Sequence, residues 1–312
     1  MSNLPMSRLT PFLPAFSFTG MDIFGNFYVK VGRSQAKRYG IVFTCANTRA
    51  CHIEVLNSLT SEDFILALIR FISRRGRPKV MGCDNATTFV GAYNELTKAH
   101  EEIDKNSVLR FVRQSGITWK FNVPTASHHG GIWERMIRTI RRVIADIIPP
   151  YASITDDQLA TFLCEAESVI NGRPLIKSSD SIDDEHALTP NHFLLTCENL
   201  AVPLVNATAD DSYRSRWKHI QHLTNCFWKR WIRHYLPLLQ TRHKWQDIRD
   251  NVKKGDLVLM LDEDCPRSQY PLALVIDVNT SRDDLVRSVR LRANGKEYVR
   301  PITKIIFLEG SD

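Results

Sequence analysis

The stretch GMDIFGNFYVKVGRSQAKRYGIVFTCA, residues 20–46, decides how the chain begins to fold. Its two runs NFYVKVG and YGIVFTCA are rich in β-branched and aromatic residues and are bounded by glycine, which predicts two β-strands. The run ACHIEVLN that follows predicts a third short strand. Asp22 lies in the first strand, where alternate side chains point to opposite faces. The chain is therefore expected to start as a sheet that carries a carboxylate on its first strand.

Helices and short strands alternate after this point. Residues 61–76, SEDFILALIRFISRRG, predict a helix with Ser61 as its cap and Gly76 as its stop. Its apolar positions, spaced for one helix face, are Phe64, Ile65, Leu68, Ile69 and Ile72. The remaining predicted elements are strands at 79–83 (KVMGC) and 116–124 (GITWKFNVP) and helices at 86–103, 130–150 and about 155–171. This order predicts a mixed α/β sheet with flanking helices.

The pattern changes beyond residue 171. Residues 172–212 show little periodicity and many Ser, Asp, Asn and Pro residues, which predicts an irregular segment. A long helix from residue 213 then carries one apolar stripe, which we interpret as core rather than as a base-stacking surface. The stripe consists of Trp217, Ile220, Leu223, Phe227, Trp231 and Tyr235. Four short runs, GDLVLML, PLALVIDV, LVRSVRLR and YVRPITKIIFL, are separated by turn residues and predict a small antiparallel barrel.

Charge is distributed unevenly along the chain. Residues 22–150 carry a net charge of +8 and residues 213–312 carry +7, whereas residues 151–212 carry −9. The two basic blocks indicate a polyanionic partner, with solvated surface charge as the alternative. No apolar run approaches the roughly 18 to 20 residues of a membrane span, and the N-terminus lacks the apolar region of a signal peptide. A nuclear or cytoplasmic location without a membrane partner is therefore expected.

The seven cysteines form no C-x-x-C pair. Their spacing suggests neither a zinc module nor a disulfide framework, and buried free thiols in a reducing compartment are the better interpretation.

Three acidic residues form the candidate site: Asp22 in GMDIFG, Asp84 in GCDNATTFVGA and Glu134 in HHGGIWERMIR. Taken singly, each has an ordinary explanation as a surface residue, a turn cap or a helix-dipole partner. A strand Asp, a strand-end Asp and a helix Glu can nevertheless converge in an α/β fold. Converged carboxylates suit a pair of Mg²⁺ (or Mn²⁺) ions, which prefer oxygen ligands. We therefore predict a two-metal site for phosphoryl transfer.

Basic residues follow the third carboxylate along the predicted helix. Arg138, Arg141 and Arg142 lie at +4, +7 and +8 from Glu134 and share its face. Such a stripe is expected to hold a phosphodiester backbone, with a solvated helix face as the alternative. His129, adjacent to another histidine in a loop, is predicted to contact DNA, with an ordinary surface histidine as the alternative; zinc is disfavoured because no other ligand has the required spacing.

Several stretches of this sequence resemble the integrases of retroviral type, and within them those of BEL/Pao LTR retrotransposons. The resemblance rests on GMDIFGNFYVK, CDNATTFVGAYNEL and NVPTASHHGGIWERMIRTIRR. It continues from WKHIQHLTNCFWKRW to RPITKIIFLE, a stretch that resembles the domain downstream of the catalytic core in BEL/Pao polyproteins. The resemblance covers nearly the whole chain.

The resemblance implies a ribonuclease-H-like core whose D,D,E triad consists of Asp22, Asp84 and Glu134. Arg138 and Arg141 match positions where the family places basic residues that contact the DNA ends of the element. The implied activity is trimming of the 3′ ends, followed by attack of the new 3′-hydroxyl on target DNA. Both steps are metal-assisted displacements at phosphorus.

Three features differ from the family pattern. Ala86 stands where the family generally has Gly after Asn, and 49 residues separate Asp84 from Glu134, a longer spacing than in retroviral enzymes. The family also leads one to expect a zinc-binding His/Cys module upstream of the core, and the sequence suggests a piece of a longer polyprotein.

The sequence thus predicts an α/β protein with a ribonuclease-H-like mixed sheet and flanking helices, followed by a helix and a small SH3-like β-barrel. The predicted domains are an N-terminal extension (1–14), an integrase catalytic core (15–175), an irregular acidic connector (176–212) and a basic C-terminal domain (213–312). The predicted function is DNA integration by a homo-oligomer that binds element ends and target DNA, with no small-molecule substrate. The alternative is a non-catalytic DNA-binding protein derived from a domesticated or decaying integrase. A ribonuclease of the same fold ranks last.

Overall fold

The computed structural model describes residues 13–83, 116–121, 138–144, 147, 154–177, 187–196, 215–239, 251–261, 265, 269–281 and 285–309. The chain divides into two compact units. The first comprises Met1–Ile170 with Ala207–Thr224, and the second comprises Asn171–Asn206 with Asn225–Asp312. Within the described ranges, no helix has the length and apolar character needed to cross a membrane.

A five-stranded mixed sheet forms the centre of the first unit. Its strands are β1 (Phe18–Val31), β2 (Ser34–Cys45), β3 (Cys51–Leu56), β4 (Val80–Cys83) and β5 (Thr118–Phe121). The order across the sheet is β3-β2-β1-β4-β5. The pairs β1–β2 and β2–β3 are antiparallel, whereas β1–β4 and β4–β5 are parallel. This is the strand order of the ribonuclease-H-like fold, so the α/β class and the mixed sheet predicted for this part of the chain are confirmed.

A bulge interrupts β1 shortly after Asp22. The register between β1 and β2 shifts between Phe24 and Phe27, and Gly25 at that point has a φ of 75°. A Cβ on Gly25 would lie 2.6 Å from the ring of Phe27, so a larger residue would have neither the backbone conformation nor the space. Bulges next to functional sites re-aim nearby side chains.

The first helix, α1 (Ser61–Arg75), starts and ends close to the predicted residues. Its N-cap is Thr60 rather than the predicted Ser61, because the Thr60 hydroxyl accepts the backbone N–H of Asp63. Gly76 ends the helix as predicted, with a φ of 82°.

The buried face of α1 is rotated from the predicted one. Phe71 is buried and stacks on Phe43 of β2 with ring centroids 4.2 Å apart, whereas Ile69 is 54% exposed. The predicted stripe contained Ile69 and omitted Phe71. The aromatic ring has more apolar area to bury, and it finds a parallel ring on the sheet.

The second helix, α2 (Asp156–Asn171), confirms the prediction for about 155–171. Arg38 of β2 forms a bidentate ion pair with Asp156 in the first turn of α2. Its Nε donates to Oδ1 at 2.7 Å and its Nη2 donates to Oδ2 at 3.2 Å. This paired geometry fixes the beginning of α2 against the sheet.

A largely buried charged network fixes α2 against the edge strand β3. Glu167 of α2 accepts the backbone N–H of Ile53 at 2.7 Å and lies 3.2 Å from Nδ1 of His52. On the other side of the imidazole, Nε2 of His52 lies 3.0 Å from Glu54. Arg75 of α1 donates to the second oxygen of Glu167 at 2.5 Å. The Glu167 carboxylate therefore covers a backbone donor that an edge strand would otherwise expose.

Two members of this network have shifted pKa values. Burial alone lowers the pKa of His52, but hydrogen bonds to Glu167 and Glu54 and the charge of Glu167 outweigh it and raise the pKa above the ordinary 6.5. Burial alone raises the pKa of Glu54, but hydrogen bonds from His52 and Arg70 outweigh it and lower the pKa below the ordinary 4.5. The network is therefore most favourable with His52 protonated and Glu54 ionised.

The contribution of this network to the free energy of unfolding is expected to be full between about pH 4.5 and 6.5. A raised His52 pKa gives stability that is complete below the unfolded pKa and is lost as pH rises through the folded pKa. A lowered Glu54 pKa gives stability that is lost as pH falls through the folded pKa.

Denaturant titrations over a pH series test this expectation. The free energy of unfolding of the wild type should decline as pH rises above about 6.5, and this decline should be absent in His52→Gln. On the acid side the decline should become smaller but persist, because Glu54 loses its pair with His52 and keeps its pairs with Arg70 and Arg74. Identical alkaline slopes for His52→Gln and the wild type would contradict this expectation.

In the second unit, short elements lie within the predicted connector. β6 (Ile176–Lys177) pairs antiparallel with β7 (Ala187–Leu188), and α3 (Pro190–Leu195) follows directly. Thr189 precedes α3 and bonds through both its N–H and its hydroxyl to Nδ1 of His192. Elements of two to six residues are too short for hydrophobic periodicity to reveal them.

The long helix α4 (Arg216–Leu239) buries most of its predicted apolar stripe. The members that are 0 to 8% exposed are Ile220, Leu223, Phe227, Trp231 and Tyr235. Trp217 is 49% exposed, so its predicted place in the core is wrong. It lies in the first turn, at the end of the stripe, where fewer neighbours cover a side chain.

A second, antiparallel sheet belongs to the second unit. Its strands are β8 (Leu257–Met260), β9 (Leu272–Thr280), β10 (Val286–Ala293), β11 (Lys296–Pro301) and β12 (Ile305–Glu309), in the order β11-β10-β9-β8-β12. The last predicted run is therefore two strands, separated by a 3-10 turn that follows Pro301. β11 and β12 lie at the two ends of this order, and within the described residues no ladder joins them, so the antiparallel sheet is confirmed but closure of the predicted barrel is not seen there.

Candidate active site and nucleic-acid surfaces

Asp22 is positioned by β1, beside the bulge. Its neighbours Met21 and Phe24 are buried, whereas its own side chain is 26% exposed. Oδ1 of Asp22 accepts the backbone N–H of Ile23 at 2.8 Å. Oδ2 lies 2.8 Å from Nη2 of Arg141. The first predicted carboxylate thus sits on a rigid strand and can be reached from solvent.

The arginine stripe lies on a helical segment, residues 138–144. Its buried residues are Thr139, Ile140, Val143 and Ile144, and its exposed residues are Arg138, Arg141 and Arg142. The predicted basic face is therefore the face that a polyanion can reach.

The Arg141 side chain joins this segment to β1. Besides the ion pair with Asp22, its Nη2 donates to the backbone carbonyl of Ile23. A residue predicted to contact DNA is therefore brought beside a residue predicted to bind metal, although 118 positions separate Arg141 from Ile23 in the chain.

The other predicted site residues, Asp84, Glu134 and His129, lie outside the described residues. The strand that leads to Asp84 is described up to Cys83, the residue before it.

The register of that strand is well defined. β4 pairs in parallel with β1, and the three paired positions are Phe18 with Val80, Thr19 with Met81 and Gly20 with Gly82. The backbones of β1 and β4 therefore run side by side towards Asp22 and Asp84.

A divalent cation suits the chemistry of the predicted donors. The described residues contain no group of three His, Cys, Asp or Glu side chains that could hold a metal ion, and two of the three predicted ligands lie outside them. Asp22 offers hard oxygen donors from a partly exposed side chain. A set of three carboxylates without nitrogen or sulfur favours Mg²⁺ or Mn²⁺ over zinc.

A second basic surface lies on the antiparallel sheet of the second unit. Along β10, Val289 and Leu291 are buried while Arg287 and Arg290 are exposed. On β11, the guanidinium of Arg300 lies 5.5 Å from the centre of the Tyr298 ring. No residue here was predicted to contact DNA, although the alternation of Val289, Arg290 and Leu291 is a usable signal for an exposed basic side of this strand. Arg287 departs from the alternation, because the register with β9 shifts between Val286 and Ser288.

Comparison with known proteins gives partial matches. The family described as "Family of unknown function (DUF5641)" matches residues 215–308. No protein with a curated description matches the chain.

Two solved structures are similar to the chain at low identity. One is a chain of the simian T-cell lymphotropic virus intasome in complex with the PP2A regulatory subunit B56 gamma. It is 10% identical, with a TM-score of 0.40, and the match covers 98% of this chain and 84% of that one. The other is the HTLV-2 integrase catalytic core domain in complex with magnesium, in a trimeric form. It is 15% identical, with a TM-score of 0.36, and the match covers 58% of this chain and 98% of that one.

Proposed function

We propose that this chain is an integrase-like polynucleotidyl transferase of the BEL/Pao type, which trims the 3′ ends of element DNA and joins them to target DNA. The proposed catalytic core is 15–175 and the proposed basic C-terminal domain is 213–312, joined by the acidic connector 176–212. The proposed catalytic residues are Asp22, Asp84 and Glu134.

The parallel register between β1 and β4 is the observation that carries this proposal. Gly20 pairs with Gly82, and Asp22 and Asp84 each follow two positions further along the chain. Neighbouring strands lie about 4.8 Å apart, and residues in the same register of a parallel pair point to the same side. Two more residues of the same pairing would therefore set the two carboxylates side by side, as ligands of a shared cation must be.

The ion pair of Arg141 supports the position proposed for Glu134. Arg141 brings its helical segment against Asp22. Glu134 precedes Arg141 by seven positions, which is two helical turns and returns to the same face. If the predicted helix starts before Glu134, the third carboxylate faces the side from which Arg141 reaches Asp22.

The proposed reaction consists of two displacements at phosphorus. In the first, water attacks a phosphodiester near the 3′ end. The bond from phosphorus to the 3′-oxygen breaks, and that oxygen takes a proton to become a 3′-hydroxyl. In the second, this hydroxyl attacks a phosphodiester of target DNA, and the 3′-oxygen of the target leaves and is protonated. The second step makes one phosphodiester for each one broken, so it needs no external energy source.

The side chains have separate roles in this scheme. The carboxylates of Asp22, Asp84 and Glu134 would hold Mg²⁺ or Mn²⁺, which lowers the pKa of the attacking oxygen and stabilises the leaving oxygen. Arg138, Arg142 and His129 would bind the phosphodiester backbone near the reacting phosphorus. A positioned backbone converts an encounter between two molecules into a reaction within one complex.

DNA is the proposed partner of both basic surfaces. The exposed arginines of residues 138–142 would contact the element end, and the exposed arginines of β10 would contact phosphates without base specificity. Joining two element ends needs at least two active sites, so a homo-oligomer is part of the proposal.

DNA binding without catalysis is the second candidate function. The exposed Arg287 and Arg290 favour it, because a basic strand can bind phosphates without any carboxylate. This alternative predicts salt-sensitive binding that is indifferent to divalent metal and to replacement of Asp84.

Strand transfer in vitro separates these functions. A labelled duplex that ends in the element terminus would be incubated with target DNA and Mn²⁺. A parallel sample would contain EDTA in place of free Mn²⁺. We expect joined products with the wild type in Mn²⁺, and none with EDTA or with Asp84→Asn. Transfer that survives Asp84→Asn would contradict the assigned catalytic residues. Salt-sensitive DNA binding without transfer in any sample would support the alternative.

A further inference from the structure

The contacts of the Asp22 carboxylate occupy both of its oxygens. Oδ1 accepts the Ile23 N–H at 2.8 Å, and Oδ2 faces Nη2 of Arg141 at 2.8 Å. The same nitrogen of Arg141 donates to the Ile23 carbonyl. The guanidinium therefore stands where a cation bound through Oδ2 of Asp22 would place its own positive charge.

Because the Asp22–Arg141 ion pair is exposed, replacing the guanidinium by a cation costs little free energy. The side chains of Asp22 and Arg141 are 26% and 45% exposed, so water screens their attraction. Exposed ion pairs contribute little to stability, about fivefold at most in an equilibrium constant. By contrast, a divalent cation carries twice the charge of a guanidinium and binds carboxylate oxygens directly.

Arg141 differs in this respect from its two neighbours on the segment. Arg138 and Arg142 are exposed as well, but within the described part of the chain only Arg141 forms an ion pair with Asp22. The three side chains otherwise share one face and one chemistry. Arg142 is thus a matched control for removal of one positive charge near the site.

We propose that Arg141 is a coupling residue: its guanidinium competes with the divalent cation for the Asp22 carboxylate and, once displaced, binds a DNA phosphate. This inference rests on the proposed function, because it takes Asp22 as a metal ligand. Each half of the exchange favours the other. A bound cation releases the arginine for phosphate, and a phosphate that holds the arginine leaves Asp22 free for the cation.

Thermodynamic linkage makes this coupling reciprocal. If the cation raises DNA affinity by a given factor, DNA raises cation affinity by the same factor. The factor is limited by the ion pair that must be broken, so about fivefold is expected. Such coupling would favour a complete metal site when the DNA substrate is in place.

Binding measurements without catalysis test the first half. Mn²⁺ would be titrated into the wild type, Arg141→Gln, Arg142→Gln and Asp22→Asn by calorimetry, without DNA. Arg141→Gln is expected to bind Mn²⁺ about fivefold more tightly, whereas Arg142→Gln should change less than twofold. Equal changes in the two arginine variants, or weaker binding by Arg141→Gln, would overturn the proposal. Thermal unfolding would confirm that each variant is folded, and Arg141→Lys, which keeps the charge, should bind Mn²⁺ as weakly as the wild type.

DNA affinity tests the second half. A short duplex would be titrated at constant ionic strength with and without Mn²⁺. Mn²⁺ is expected to raise the DNA affinity of the wild type and of Arg142→Gln about fivefold more than it raises the DNA affinity of Arg141→Gln. An equal gain in all three proteins would overturn the proposal.

The Asp22→Asn arm separates this inference from the proposed function. Unchanged Mn²⁺ affinity in Asp22→Asn would show that Asp22 does not bind the metal, and the proposed function would be refuted as well. Reduced Mn²⁺ affinity in Asp22→Asn together with no effect of Arg141→Gln would leave the proposed function intact and refute only the coupling.

Discussion

Replacing Asp22 by asparagine is expected to lower the rate of strand transfer at least about 100-fold. Residues that merely support metal ligands cost 10- to 100-fold when they are replaced, so a direct ligand should cost no less. Asparagine keeps the size of the side chain and one oxygen, but it loses the negative charge that a divalent cation requires. The measurement is the initial rate of joined product at saturating Mn²⁺.

Asp157→Asn is the matched control for this experiment. Asp157 is exposed on α2, and the chemical change is the same. It should leave strand transfer within about twofold of the wild type, and both variants should bind DNA at least as well as the wild type, because each removes a negative charge. Equal activity of Asp22→Asn and Asp157→Asn would show that Asp22 has no role in catalysis.

Replacing Trp231 by alanine is expected to lower the free energy of unfolding of the second unit by about 4 kcal/mol. The Trp231 ring is 0% exposed and stacks on Tyr235, with centroids 5.0 Å apart and planes 10° from parallel. It also stacks on Phe227 at 5.9 Å, and its Nε1–H donates to the hydroxyl of Tyr270 at 2.7 Å. Alanine would leave a cavity among these rings and a buried hydroxyl without its donor.

Trp217→Ala on the same helix is the control for this change. Trp217 is 49% exposed, so its removal should cost less than about 1 kcal/mol. Denaturant titration followed by far-ultraviolet circular dichroism would measure both variants without relying on tryptophan emission. A loss below about 1 kcal/mol for Trp231→Ala as well would show that the packing around Trp231 does not stabilise the second unit.

Local patterns in the sequence predict the described strands of the first unit well, whereas the helix predicted at 86–103 lies outside the described residues. The two glycine-bounded β-rich runs appear in β1 and β2, the run ACHIEVLN appears as β3, and KVMGC appears as β4. Each of these is determined by its own composition and by the turn residues at its ends. The bulge in β1 also has a local signal, since GMDIFG places Gly25 where only glycine fits beside Phe27.

Contacts between distant residues are what the sequence could not show. The burial of His52 depends on Glu167, a residue on a helix more than a hundred positions away. A histidine and a glutamate in a strand normally predict a solvent-facing edge. The ion pair between Asp22 and Arg141 is non-local in the same way, so sequence spacing indicated convergence of charged groups but not which pair would form.

Periodicity also failed where two elements share one apolar run. YVRPITKIIFL has the composition of a single strand, but a 3-10 turn after Pro301 divides it into β11 and β12. Proline lacks the N–H that a continuing ladder would use, and this is the physical signal that should have split the run.

The position of a bound Mn²⁺ ion, located by anomalous diffraction from crystals of the protein, tests the proposed two-carboxylate metal site most directly. We expect an ion about 2.1 Å from carboxylate oxygens of both Asp22 and Asp84, the distance typical of Mg²⁺ ligands. The guanidinium of Arg141 should then have moved away from Oδ2 of Asp22. A bound ion that contacts neither carboxylate would contradict the metal site and the function proposed from it.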